Sequence, residues 1–154
     1  MKTRFTSIFS RAAMMLLLVI FAPPTEAWAD FSWDGDGTSS APYQIDTYEK
    51  LKEFAAIVNG TSSVSSSNSL ACAKLTADIL CNDQDWTPIG GNLQPYAGTF
   101  DGDGYTITGL SNSSNSSDYA GLFGYVGSQG VVRNVTLVNV TITGKNVGAI
   151  VKTQ

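Results

Sequence analysis

Histidine is absent from the sequence. That absence excludes a HExxH zinc site and any serine or cysteine nucleophile that relies on a histidine base. No Walker A loop is present, and no GxGxxG follows a strand and opens a helix. Charged residues are scarce, at 14% of the chain. The membrane-length apolar run is missing too. The longest candidate, Ala12 to Ala22, has about 11 residues where a bilayer span needs roughly 20.

That short run has a different use. Lys2, Arg4 and Arg11 make a basic leader for it, and the polar segment after it ends in Ala27-Trp28-Ala29. The pattern predicts a signal peptide over residues 1–29, cleaved between Ala29 and Asp30. An uncleaved membrane anchor is the competing reading, and the shortness of the run disfavours it. Residues 30–154 then carry six Lys/Arg against twelve Asp/Glu, a net charge of about −6. That balance argues against nucleic acid or an anionic membrane as partner, and no membrane insertion is expected after cleavage.

Two cysteines, Cys72 and Cys81, are present. Export permits a disulfide. The text between them argues otherwise, because Leu75, Ala77 and Ile79 alternate with Thr76 and Asp78 as in a single strand over Leu70 to Leu80. Nine extended residues would hold the two Cα atoms about 30 Å apart, and a bridge needs about 7 Å or less.

One helix is predicted over residues 46–59. Asp46 is the expected N-cap, with Glu49 completing a capping box. Tyr48, Leu51, Phe54, Ala55 and Val58 share a face, and Asn59-Gly60 supplies a left-handed stop. Its polar face is not basic, so it reads as a helix lying against a sheet and not as a membrane-surface helix. Asp30 to Ala41 opens the mature chain as turns, and Pro42 to Ile45 reads as extended. Thr61 to Ser69 is a Ser-rich loop. Trp86 to Gly91 is an aromatic-anchored corner, in which Trp86 is either core or a surface for a sugar to stack on.

The stretch from Tyr96 to Val151 sets the fold class. Its apolar residues mostly step by two, as strands require. Between Ile107 and Leu110, and again between Leu137 and Val140, they step by three. Such a step turns the chain through a corner while its apolar residues stay inside. Gly109 and Asn139, which tolerate positive φ, stand at those corners. Gly121-Leu122-Phe123-Gly124 is echoed by Gly148-Ala149-Ile150-Val151, 27 residues later. Short strands, repeated corners and that period predict a mainly β chain wound as a β-solenoid. Ser111 to Ser117 reads as a loop bulging from one coil.

The carboxylates are the remaining source of chemistry. Asp101 and Asp103 lie in an Asp-Gly-Asp-Gly turn, and the same text recurs with Asp34 and Asp36. The pair admits three readings: a structural turn, a calcium loop, or a glycosidase acid/base pair. The recurrence favours the turn. The calcium reading lacks its distal ligand, since the twelfth residue is Ile45 from Asp34 and Asn112 from Asp101. Thr106-Ile107-Thr108 and Thr141-Ile142-Thr143 place threonines outward, as exposed strands do. N-x-[ST] sequons begin at Asn59, Asn112, Asn115, Asn134 and Asn139, and read as solenoid asparagines and loop serines.

The segments PYQI, KLTADI, WTPIG, YAGTFDGDGYTITGL, YAGLFGYV, VVRNVTLVNVTITG and VGAIV follow one another in this order. From about Trp33 onward, the chain in this respect resembles exported bacterial proteins with GLUG-motif repeats. The resemblance implies a right-handed parallel β-helix related to haemagglutinin-type adhesins. Similar repeats also accompany the catalytic domain of secreted immunoglobulin-A1-cleaving zinc metallopeptidases. The chain departs from the family in length, because its second Gly-apolar unit breaks off near Gln154. The expectation is a signal peptide (1–29) and a solenoid domain (30–154) with helix 46–59, incomplete at its C-terminus. Such a module would sit outside the cell or on its surface. It would have an adhesin-like binding or scaffolding role, with no catalytic residue, cofactor or metal of its own. Its ligand would be a surface molecule such as a host glycoprotein or polysaccharide. The alternative is the non-catalytic N-terminal region of an exported metallopeptidase or carbohydrate-active enzyme.

Overall fold

The computed structural model describes residues 32–82, 85–112 and 119–148. The expected signal peptide with its Ala29–Asp30 cleavage site, and the loop at 113–118, lie outside the described residues. The described chain is mainly strand, with one helix. In order it runs β1 (Tyr43–Ile45), α1 (Tyr48–Asn59), β2 (Ala73–Leu75), β3 (Ile79–Leu80), β4 (Thr99–Asp101) and β5 (Thr106–Thr108). It continues with β6 (Ser111–Asn112), β7 (Tyr119–Ala120), β8 (Val131–Arg133), β9 (Thr136–Val138), β10 (Thr141–Ile142) and β11 (Asn146–Val147). No described helix is long and apolar enough to cross a membrane.

Every pairing between named strands is parallel. β1, β2, β4 and β8 form one ladder, β3, β5 and β9 a second, β6 and β10 a third, and β7 and β11 a fourth. Partners lie about 30 residues apart in sequence. Tyr43 pairs with Ala73, Ala73 with Phe100 and Phe100 with Val132. Isolated bridges join Ile89 to Phe123 and Tyr96 to Val126 in the same sense.

This register explains the three-residue steps. Thr108 pairs with Val138, so Gly109 and Asn139 occupy equivalent corners after paired strands, with φ of 75° and 53°. The Gly109 amide donates to Val138 O at 2.9 Å. The Gly-apolar echo is spatial as well. Tyr119 pairs with Asn146 and Ala120 with Val147, which sets Gly121 beside Gly148. A Cβ on Gly121 would stand 2.2 Å from Gly148 O, so a side chain there would push β7 and β11 apart. Asp103 and Asn134, at φ of 49° and 55°, turn a second corner that the apolar spacing does not reveal.

Two local expectations need correction. The predicted strand from Leu70 to Leu80 is two strands, β2 and β3, in different ladders. The turn at 76–78 keeps the two-residue alternation intact, so the corner left no mark on the apolar pattern. The Asp78 carboxylate instead accepts from the Thr106 amide at the start of β5 at 2.8 Å. The helix also begins one residue later than predicted. Its N-cap is Thr47, whose hydroxyl accepts from Lys50 N at 3.2 Å. Asp46 forms an i,i+4 ion pair with Lys50 at 2.9 Å, and the Glu49 capping box does not form. The stop is as read: Gly60, at φ 71°, donates to Ile57 O, and Thr61 donates to Ala56 O.

The inward columns make the core. Ile79 and Ile107 are fully buried, and Leu137 continues their column half-buried. α1 buries Tyr48, Leu51, Phe54, Ala55, Ile57 and Val58. The Phe54 ring meets Tyr96 at 6.0 Å and Phe100 at 5.8 Å, and Phe123 packs on both of those rings at 5.2 and 5.3 Å. Burial of a ring such as Phe100 stabilises by about 1.5–3 kcal/mol. Several buried polar groups are matched across the core, although the buried Tyr48 hydroxyl has no hydrogen-bond partner among the described residues. Tyr96 OH donates to Ala71 O at 3.0 Å, and Trp86 Nε1 to Gly121 O at 3.1 Å. Trp86 is therefore core and unavailable to a sugar. Asn112 sits in β6 and not in a loop, and is 3% exposed; its Nδ2 donates to Trp86 O at 2.6 Å.

Candidate functional site

The outward column of the first ladder carries Gln44, Lys74, Asp101 and Arg133 in register. Parallel pairing thus supplies the Asp-Gly-Asp-Gly turn with cations that are about 30 residues away in sequence. Asp101 Oδ2 accepts from Arg133 Nε at 2.8 Å, and Asp103 Oδ2 meets Lys74 Nζ at 2.9 Å. Asp101 Oδ1 accepts from Asp103 N at 3.0 Å and from Asn134 Nδ2 at 2.9 Å. Partial burial alone would raise the Asp101 carboxyl, but Asn134, the Asp103 amide and Arg133 outweigh it and hold the group below its ordinary value. Lys74 is raised by its hydrogen bond and ion pair with Asp103.

Asp101 is thus a fixed anion that anchors a corner. A general acid needs the opposite, a carboxyl kept protonated near neutral pH. At the other turn, Asp36 Oδ1 accepts from Thr38 N at 3.0 Å, and Asp36 is likewise lowered, chiefly by hydrogen bonds from Thr38. Both turns use an aspartate to bond the backbone two residues on. No cluster of three or more potential metal ligands occurs among the described residues. The two Thr-Ile-Thr units do not stack: Thr106 pairs with Thr136, and Thr141 with Ser111.

A second feature is a cleft of about 520 Å³ between the turn at 87–94 and Tyr119. Asn59, at the end of α1, braces it. Its Nδ2 donates to Pro88 O at 2.9 Å, and its Oδ1 accepts from Gly90 N at 2.8 Å. Gly91 and Gln94 exchange backbone hydrogen bonds of 3.0 and 3.2 Å, closing a tight turn with Asn92 and Leu93 at its tip. Gln94 Nε2 donates to Ser67 Oγ at 2.6 Å. The Tyr119 ring lies 5.7 Å from that of Tyr125, at 66°. Among the described residues, no Asp, Glu, Lys or Arg lines the cleft. Sequence reasoning found the corner at 86–91 but not the cleft. The available signal was Leu93, an apolar residue inside an otherwise polar turn, which is wholly exposed.

Both cysteines are buried and free. The distance argument against a bridge assumed one continuous strand, and that premise fails. Burial pushes the Cys81 thiol up to about 11, which keeps it protonated and unreactive at neutral pH.

No protein-family model matches the chain, and no solved structure matches it significantly. Two curated proteins are similar. Halomucin of Haloquadratum walsbyi is 38% identical over 127 residues, 74% of this chain and 1% of that protein. A protein of Evansella cellulosilytica, named as a Gly-rich membrane protein, is 31% identical over 146 residues. That match covers 93% of this chain and 17% of the relative. The chain therefore spans a small fraction of the length of either relative.

Proposed function

We propose that the chain is an exported, non-catalytic module of a right-handed parallel β-helix, with an adhesin-like binding or scaffolding role at the cell surface. The carrying observation is the parallel pairing of strands about one coil apart in four ladders. A chain that keeps pairing in parallel with its preceding coil needs crossover connections, and these are right-handed in nearly all proteins. The order of segments shared with GLUG-motif repeat proteins supports the same reading. The names of the two relatives, one a mucin and one a membrane protein, favour a place at the surface. The lack of histidine removes the commonest catalytic base from the chain. The lowered Asp101 weakens its candidacy as a proton donor.

The reading is tested in the organism. Intact cells are labelled with a membrane-impermeant amine reagent and the N-terminus of the labelled protein is sequenced. The proposal expects labelling and a chain that begins at Asp30. Unlabelled protein that keeps Met1 in the cytosolic fraction would refute it.

A further inference from the structure

We infer that the cleft between the turn at 87–94 and Tyr119 binds a neutral saccharide. The inference rests on the reading of the chain as a surface binding module and assigns that module its ligand class and site.

The lining combines two chemistries that a sugar needs together. Asn92, Gln94 and Thr87 offer amide and hydroxyl groups suited to a ring of hydroxyls. Tyr119 and Leu93 offer apolar surface suited to the C–H face of the same ring. Asn92 and Thr87 are exposed and make no side-chain hydrogen bond within the described chain, so a ligand displaces only water from them. Among the described residues no cation lines the cleft, and nucleic acid and acidic ligands need cations.

The site is also built in advance. Asn59 pins Pro88 and Gly90 through both ends of its amide. Gly90 stands at φ 73°, and a Cβ there would meet Tyr125 O at 2.6 Å, so the turn lies tight against the coil behind it. A turn held this firmly loses little freedom on binding. It also explains Leu93, which the turn holds fully exposed beside the cleft and away from any apolar neighbour.

The test titrates the full chain by calorimetry with cellohexaose, maltohexaose, mannohexaose and chitohexaose, and with polygalacturonate as an acidic comparison. The inference expects at least one neutral oligosaccharide to bind. Tyr119→Ala should weaken that binding about 10-fold or more. Asn92→Ala and Leu93→Ser, at exposed tip positions the fold does not use, should weaken it as well if Tyr119→Ala fails to fold. Lys74→Ala, on the charged ladder, should leave it unchanged.

Binding that survives the tip variants would overturn the inference, as would the failure of all four neutral sugars. Polygalacturonate binding alone, lost in Lys74→Ala, would overturn the cleft assignment while leaving the surface-binding reading in place. A cytosolic chain that binds a neutral sugar through the cleft would do the reverse.

Discussion

The strands near α1 and the strands β8 to β11 both carry apolar inward residues but bury them differently. Near the helix, Ile45, Leu75, Phe100, Ile107 and Leu110 are wholly buried. In the other region Val132, Val135, Leu137, Val140 and Ile142 are half-buried, although they stand in the same columns or corners. Apolar character alone therefore does not set burial here. In the first region Phe54 of α1 packs on Phe100, and β2, β4 and β5 each have a paired strand on both sides. Among the described residues, β8 to β11 pair on one side only.

The contrast yields graded predictions. Phe100→Ala removes a ring packed between Phe54 and Phe123, and is expected to cost about 3–5 kcal/mol in chemical denaturation. Leu137→Ala, in the half-buried column, should cost about half the usual core value, ~1–2 kcal/mol. Equal losses at the two positions would remove the distinction. Asn112→Ala leaves the buried Trp86 carbonyl without its donor, and should cost about 1–3 kcal/mol by the same assay. Thr47→Ala removes the helix cap at a cost of about 1 kcal/mol, whereas Asp46→Ala should cost less.

The smallest effect is on the outer ladder. Asp101 has a lowered carboxyl, so its contribution is present at neutral pH and is lost as pH falls through the carboxylate range, between about pH 5 and pH 2. Asp101→Asn should flatten the acid limb of a melting-temperature profile and change the value at pH 7 only slightly. A variant with an unaltered acid limb would show that the Arg133 and Asn134 contacts add nothing to stability.

Much of this architecture was legible in the residues. The inward run of Phe100, Ile107 and Leu110, the corners at Gly109 and Asn139, and the apolar face of α1 all follow from local spacing. What escaped was what needs the register. The corner inside Leu70 to Leu80 preserves the alternation and so hides itself. The cap is Thr47, whose hydroxyl accepts from the Lys50 amide, while Asp46 pairs with the Lys50 ammonium. Arg133 and Lys74 meet the Asp101 turn only through the parallel pairing of β2, β4 and β8. The cleft joins Asn59, the 87–94 turn and Tyr119, which no window along the sequence contains together.

The claim that strands about 30 residues apart pair in parallel register is tested most directly by paired cysteines. Adjacent strands lie about 4.8 Å apart, within reach of a disulfide, and a partner two residues out of register lies about 8 Å away, beyond it. In a chain with Cys72 and Cys81 replaced by alanine, Thr106→Cys with Thr136→Cys should cross-link under mild oxidation within a single molecule, because these residues are register partners. Thr106→Cys with Val138→Cys should remain as free thiols. Equal cross-linking in both pairs, or none in the first, would contradict the parallel register.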